Sequence, residues 1–434
     1  MTTNNSSLTH ITDLDVYLVG GAVRDKLLNR AVQDNDYLVI GATVEQMLSL
    51  GFKQVGKDFP VFLHPDTKQE YALARTERKQ GQGYTGFSCY AEPDVTIEQD
   101  LLRRDLSVNA MAQSADGTII DPYHGQQDLE NRLLRHVSDA FIEDPLRVLR
   151  VARFAARYHS YGFTIAPETL ALMTKISNSG ELSALSAERI WQEMERSLND
   201  DGTELNSAHP EVFFQVLHQC QALKALWPEL DALWNVPNPA KWHPEICSGV
   251  HTMMVLQQAV LLTQNNNNKV AIRFAALCHD LGKGLTATEQ WPSHRGHEKA
   301  GLPLVEKIAK QLKVPNYCKQ LALKVCEYHL HCHKAFELKA TTLLTMFNQL
   351  DVWRKPQEFD DFIIACKSDF LGRLGFENRP YPQAQYLKSA MLAASKINAK
   401  AFVEQGLQGI AIKEAIATAR LNALKTVKMQ YETE

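Results

Sequence analysis

The chain has 434 residues, 45% hydrophobic and 22% charged, which excludes wholesale disorder and allows two to four domains at roughly 100–200 residues each. Lys and Arg number 46 against 50 Asp and Glu, and this net charge of -4 argues against a strongly basic nucleic-acid binder. The first ten residues are polar, no long apolar run occurs, and the eight cysteines form no Cys-x-x-Cys pair, so a cytoplasmic protein without membrane span, secretory leader, disulfide frame or thiolate zinc site is expected.

Residues 1–13 read as a polar leader. Over 14–140, short β-rich runs alternate with helical stretches and predict an α+β head, a mixed sheet with helices. The stretches 16–19, 37–40, 62–64 and 71–73 are strand candidates, and 43–50 reads as a helix. Gly81, Gly83 and Gly86 mark a loop. After residue 140 the β signal ends. Helices are predicted over 144–158, 168–177, 187–198 and 210–226, making an all-α neck at 141–235. The proline-rich run Val236-Pro237-Asn238-Pro239 opens an all-α, histidine-rich body at 236–375, followed by a helical tail at 376–434. The asparagines at 265–268 read as a polar loop between two helices.

In the head, a strand runs into Gly20-Gly21 and then into a helix carrying Arg24. Paired glycines permit close backbone approach, and a helix N-terminus offers N–H groups to phosphate, although a Gly-Gly turn is more often structural. Asp34-Asn35-Asp36 leads into the next strand, where a period of two puts both acids on one face. Paired carboxylates repel unless a cation joins them, and such oxygens suit Mg²⁺. Alone this is commonly a solvated turn; shortly after a phosphate turn it fits metal-assisted phosphoryl transfer.

Residues 101–160 hold eight arginines and no lysine. On a helix, Arg147, Arg150, Arg153 and Arg157 share an arc of about 120° opposite an apolar face. A solvated face is the ordinary reading, but exclusive use of the forked guanidinium favours phosphate or base edges. Asp144, one turn earlier, sets an acceptor beside the Arg147 donor. Cytosine and adenine both present an amino donor beside a ring-nitrogen acceptor, and uracil and guanine present the reverse.

Gly20-Gly21-Ala22-Val23-Arg24-Asp25 with Asp34-x-Asp36, Arg103-Arg104-Asp105-Leu106-Ser107-Val108-Asn109-Ala110, and Glu143-Asp144-Pro145-Leu146-Arg147 follow in order. Together they resemble the class II tRNA nucleotidyltransferases and bacterial poly(A) polymerases of the polymerase β superfamily. The stretches 55–62 and 70–79 are similar to bacterial CCA-adding enzymes that carry a C-terminal HD domain. The resemblance implies that Asp34 and Asp36 hold catalytic Mg²⁺. It implies nucleotide contacts at Gly21, Arg24, Arg104, Asp144, Arg147, Arg150 and Arg153, with Asp144 and Arg147 choosing CTP and ATP. Glu70 is a candidate third carboxylate, and Asp105 and Asn109 are candidates from the second element. The implied partner is tRNA, at its acceptor arm and 3′ end, bound by a monomer or homodimer. Poly(A) polymerase is the alternative chemistry.

In the body, His251 lies 28 residues before His279-Asp280-Leu281-Gly282-Lys283-Gly284, and His297, His329 and Asp369 follow. Single histidines are usually satisfied polar residues, but this combination resembles the HD phosphohydrolases. The resemblance implies a transition metal, Ni²⁺ in this family, on His251, His279, Asp280 and Asp369, with His297 and His329 as outer histidines. It also implies phosphatase and 2′,3′-cyclic phosphodiesterase activity. Leu330 stands where close relatives carry Asp, which implies weakened or narrowed hydrolysis. A nucleotide hydrolase with a vestigial head and an RNA-binding scaffold are the rival readings.

Overall fold

The computed structural model describes residues 14–32, 34–55, 60–79, 87–200, 202–203 and 206–433. The polar leader, the glycines at 81, 83 and 86, and part of the 55–62 stretch lie outside the described residues. The chain forms two compact units, residues 1–190 with 216–226 and residues 191–215 with 227–434, so the stretch read as a neck contributes to both.

The first unit is built on strands β1 (Asp15–Val19), β2 (Asp36–Ile40), β3 (Lys53–Gln54), β4 (Val61–Leu63) and β5 (Glu70–Leu73). A separate hairpin of β6 (Thr76–Lys79) and β7 (Phe87–Tyr90) follows, and β8 (Ala112–Gln113) and β9 (Ile119–Ile120) complete the main sheet. Its strand order is β3-β4-β5-β2-β1-β8-β9, antiparallel except for the β2–β5 pair. Successive residues of β2 serve opposite faces: Leu38 packs with Val19, Leu101 and Ala112, and Val39 with Phe52, Phe62 and Tyr71. The sheet is therefore covered on both sides.

Helix α1 (Gly21–Leu27) follows β1 directly. Capping boxes at Thr43 and Thr96 start α2 (Val44–Ser49) and α3 (Ile97–Leu102). Then come α4 (Gly125–Glu130), α5 (Leu146–Tyr158), α6 (Pro167–Asn178), α7 (Ala187–Asn199), α8 (Pro210–Gln219) and α9 (Ala222–Leu226). Three expectations need correction. Asp144 is extended and Pro145 caps α5, so the helix begins at Leu146. The single helix expected over 210–226 breaks at Gln221, whose φ of 64° no right-handed helix tolerates. Short strands also persist past residue 140, at Thr164–Ile165 beside Leu133–Leu134 and in a hairpin of Gly202–Thr203 with Asn206–Ser207.

The second unit is helical: α10 (Pro228–Asp231), α11 (Ser248–Leu262), α12 (Lys269–Cys278), α13 (His297–Gln311), α14 (Asn316–His333), α15 (Ala340–Gln349), α16 (Pro356–Leu371), α17 (Pro382–Ser395), α18 (Lys400–Glu404) and α19 (Ile410–Thr433). The asparagine run lies between α11 and α12, as its composition predicts. Helices α11, α12, α14 and α16 pack against one another, with Val255, Ala259 and Ala276 in a shared core. Among the described residues no helix is long and apolar enough to cross a membrane.

Candidate functional site

Strand register assembles the first site. Asp36 lies opposite Val19 at the end of β1 and beside Glu70 at the start of β5. The two carboxylates thus share the end of the sheet at which the Gly20-Gly21 turn begins. Partial burial raises the pKa of Asp36, and Glu70 and, more weakly, Asp34 add to the rise against the pull of Arg104. This corrects the pairing expected from a period of two: the strand begins at Asp36, Asp34 is exposed ahead of it, and Glu70 is the stronger electrostatic neighbour.

Beside these acids opens a cavity of about 620 Å³, walled among the described residues by nine arginines, no lysine, and the acids Asp36, Glu70, Asp105 and Asp144. Gly21, Arg24, Arg104, Asn109, Arg147, Arg150 and Arg153 all reach its wall, whereas Asp34 does not. On α5, Val148, Leu149, Ala152, Ala155 and Ala156 are buried in the core, and the arginine face lines the cavity instead of bulk solvent. Arg75, from the 70–79 stretch, and Arg189, which stands in none of the motif stretches singled out in the sequence, also line it.

The wall is braced from within. Arg24 is buried and donates to Asp25 at 3.0 and 3.1 Å and to Asn109 Oδ1 at 2.5 Å, with its guanidinium 4.9 Å from the centre of the Tyr158 ring. Burial pushes the Tyr158 hydroxyl up to about 12, and it donates to Asp25 at 3.1 Å. Asn109 donates to Asp105 Oδ1 at 3.0 Å, and Arg150 Nε to Oδ2 at 2.8 Å. Burial opposes the charge of Asp105, but Arg150 and Asn109 outweigh it and hold its carboxyl well below the usual range. A continuous polar chain therefore ties α1 to α5. Asp144 accepts the Leu146 amide at 3.1 Å and Arg189 Nη2 at 3.0 Å, while Arg147 donates to the carbonyls of Ala140 at 3.0 Å and Arg103 at 2.5 Å. Asp144 and Arg147 share the cavity wall, and the Arg147 amide donates to the Asp144 carbonyl at 3.0 Å.

The second site lies in the helical unit, where sequence-distant histidines and carboxylates meet. Ligand-capable atoms of His251, His279 and Asp369 lie within 4.8 Å of one another, as do those of Asp280, His297 and His329. The Nδ1 atoms of His279, His297 and His329 lie 2.7, 2.8 and 3.0 Å from the carbonyls of Ala276, His294 and Val325. A carbonyl only accepts, so each Nδ1 carries a proton and, in the neutral ring, Nε2 presents a lone pair. Burial opposes the charged ring of His279, but Asp280 and Asp369 raise its pKa, so a metal would have to displace the Nε2 proton there. His297 and His329 aim these lone pairs at each other across 3.4 Å, with Asp280 Oδ1 3.2 and 3.7 Å away. His279 Nε2 lies 3.1 Å from Asp280 Oδ2, and among the described residues Asp280 Oδ1 is buried without a hydrogen bond. Converging lone pairs and an orphaned acceptor are what a bound cation relieves, so these residues fit a transition metal.

Electrostatics agree. Burial pushes His329 down to about 3, keeping it neutral. Burial also opposes ionisation of Asp280 and Asp369, yet His279 with Lys283, and His333 with His279, hold them well below the ordinary carboxylate range. Lys283 Nζ lies 2.6 Å from Asp280 Oδ2 and donates to Asn238 at 2.9 Å. His333 Nε2 reaches Asp369 Oδ2 at 2.6 Å, and Glu245 Oε1 lies 2.9 Å from Nδ1 of both His243 and His251. His333 follows His329 by four residues on α14, a spacing that marks it in the sequence. Glu245 sits in a loop and gives no such signal.

The poly A polymerase head domain family matches residues 16–135, a probable RNA and SrmB-binding site of polymerase A matches 162–233, and the HD domain family matches 249–352. A multifunctional CCA protein of Pseudoalteromonas atlantica (strain T6c / ATCC BAA-1087) is 58% identical over 413 residues, 95% of this chain and 99% of that one. Among solved structures, a CCA-adding enzyme in apo form II aligns with a TM-score of 0.61 at 18% identity, covering 100% of this chain and 96% of the other. The Thermotoga maritima CCA-adding enzyme complexed with tRNA_CCA aligns at 0.58 and 18%, covering 96% and 92%. At those identities the structures show a shared fold. The curated relative, alike along nearly both whole lengths, shows more: the chain belongs to the multifunctional CCA protein family, nucleotidyltransferases that carry an HD domain.

Proposed function

We propose that this cytoplasmic enzyme adds and repairs the 3′-terminal CCA of tRNA from CTP and ATP without a nucleic-acid template. The observation that carries the reading is the convergence of the Gly20-Gly21 turn, the Asp36–Glu70 carboxylates, and Asp144 with Arg147 on one arginine-walled cavity. The names of relatives support it, including a CCA-adding enzyme solved with CTP and another with ATP.

Asp36 and Asp34, with Glu70 alongside, would hold Mg²⁺; partial burial first, then the charges of Glu70 and Asp34, raise the pKa of Asp36, and a cation offsets both. Bound there, Mg²⁺ supplies neutralisation of the triphosphate. Gly21 gives the backbone room beside the phosphates, Arg24 holds the turn through Asn109, and Arg104, Arg150 and Arg153 line the nucleotide. The tRNA 3′-oxygen bonds to the α-phosphorus, the bond to the β-phosphate oxygen breaks, and pyrophosphate and a proton leave. For base choice, Asp144 accepts from the amino group of cytosine or adenine, and Arg147 donates to cytosine N3 or adenine N1.

Given CTP and ATP, tRNA lacking its CCA end is extended by three nucleotides, read on a sequencing gel. A long adenosine tail would support the poly(A) polymerase reading instead.

The helical unit is proposed as a metal-dependent phosphohydrolase acting on phosphomonoesters and 2′,3′-cyclic phosphates. His251, His279, Asp280, His297, His329 and Asp369 would hold the metal, Ni²⁺ in this reading, which supplies an activated water when bound. Lys283 places a cation beside Asp280 where a phosphate would sit. Leu330, on α14, puts an apolar side chain directly after His329 where the resemblance implies a carboxylate, and the loss of that carboxylate narrows the hydrolysis.

A further inference from the structure

Base choice by polarity depends on how firmly the reading groups are held. We propose that Arg189, outside the nucleotidyltransferase motifs, is a positioning residue that locks Asp144 and thereby sets discrimination against UTP and GTP. The inference rests on the reading of Asp144 and Arg147 as the base-choosing pair.

Asp144 sits on extended backbone just before Pro145, so α5 does not fix its side chain. Two anchors do so instead. The Leu146 amide holds Oδ1 at 3.1 Å, and Arg189 Nη2, from α7, holds Oδ2 at 3.0 Å. Both side chains are only 21% exposed, so water competes weakly for the pair. With both oxygens engaged, rotation about the terminal torsion is blocked and the carboxylate plane is set, while each oxygen keeps a further lone pair for a base amino group. Arg147 is fixed in the same way by the carbonyls of Ala140 and Arg103.

Rigidity here is selective. A cytosine or adenine amino group is accepted by a loose carboxylate almost as well as by a fixed one. Uracil O4 or guanine O6 meets the carboxylate lone pair to lone pair, and a loose Asp144 simply turns away. A locked one cannot, so the mismatch is penalised in full. Arg189 therefore matters more for rejecting the wrong base than for using the right one.

The test compares kcat/KM for CTP and UTP on tRNA lacking CCA, using the full chain with Asp144→Ala, Arg189→Met, Arg189→Lys and the Asp144→Ala, Arg189→Met double variant. Arg189→Met should lower the CTP-over-UTP preference roughly 10- to 100-fold, with a smaller loss for CTP itself. Arg189→Lys, a charged donor, should restore part of the preference, and the double variant should discriminate no worse than Asp144→Ala. An equal loss for both nucleotides, with the ratio unchanged, would overturn the proposal and mark Arg189 as a phosphate contact or a structural residue. If Asp144→Ala lowers the ratio and Arg189→Met does not, this inference fails and the base-choosing reading stands. If Asp144→Ala leaves the ratio intact, both fall. Should Arg189→Met not fold, Arg189→Gln, neutral and shorter, is read against the same outcomes.

Discussion

Single residues carry most of the chemistry, and some do so through backbone alone. Gly20 has a φ of 68°, and a Cβ there would stand 2.8 Å from Arg104 Nη1. With ψ at -128° this backbone suits essentially glycine alone, so Gly20→Ala costs about 1–3 kcal/mol in backbone strain and displaces Arg104 from the cavity wall. A lower Tm together with a raised KM for CTP is expected, and an unchanged KM would separate Arg104 from the turn. Asp105 makes a pH prediction. Its folded pKa lies below the unfolded value of about 3.9, so the unfolded chain binds the extra proton first. Its contribution to stability is complete above about pH 4 and is lost as the pH falls from there through the lower folded value. Asp105→Asn should be less stable than the parent at pH 7, with the gap closing on acidification in urea titrations of the two. A gap independent of pH would contradict the assignment. At this scale the sequence marks Arg104, Asp144 and Arg147 through their motifs, but Arg189 reaches the cavity only by tertiary packing, which local pattern does not encode.

Elements decide which marked residues meet. The strands of the head are readable from their β-branched and aromatic runs, yet the pairing of β2 with β5 is not, because register is set by distant partners. That is why Asp34 reads as the partner of Asp36 in the sequence while Glu70 takes the neighbouring place in the sheet. In the helical unit the opposite holds. The histidines are conspicuous one by one, and helix packing brings α11, α12, α13, α14 and α16 together so that their lone pairs converge. The His279→Ala, Asp280→Ala variant should lose bound transition metal by elemental analysis and lose hydrolysis of 2′,3′-cAMP, while keeping CCA addition. Unchanged metal content and hydrolysis would remove the second site from the account.

For the whole molecule, a net charge of -4 conceals how charge is distributed. Among the described residues nine arginines gather on one cavity wall beside Asp36, Glu70, Asp105 and Asp144, and we propose that Asp36 and Glu70 hold metal and Asp144 chooses the base. Bulk composition averages over such a site, whereas ordered motifs do not, and this is why the motifs outweigh the charge balance. The two compact units hold two separate sets of chemical groups, each complete in its own unit. We propose that the carboxylates at the strand ends of the head support nucleotide transfer to tRNA. Incorporation of radiolabelled CTP into tRNA lacking CCA, measured for Asp36→Ala beside the parent chain, tests it most directly. The variant is expected to stay folded, retain hydrolysis of 2′,3′-cAMP and lose incorporation by several orders of magnitude. Incorporation at the parent rate would contradict it.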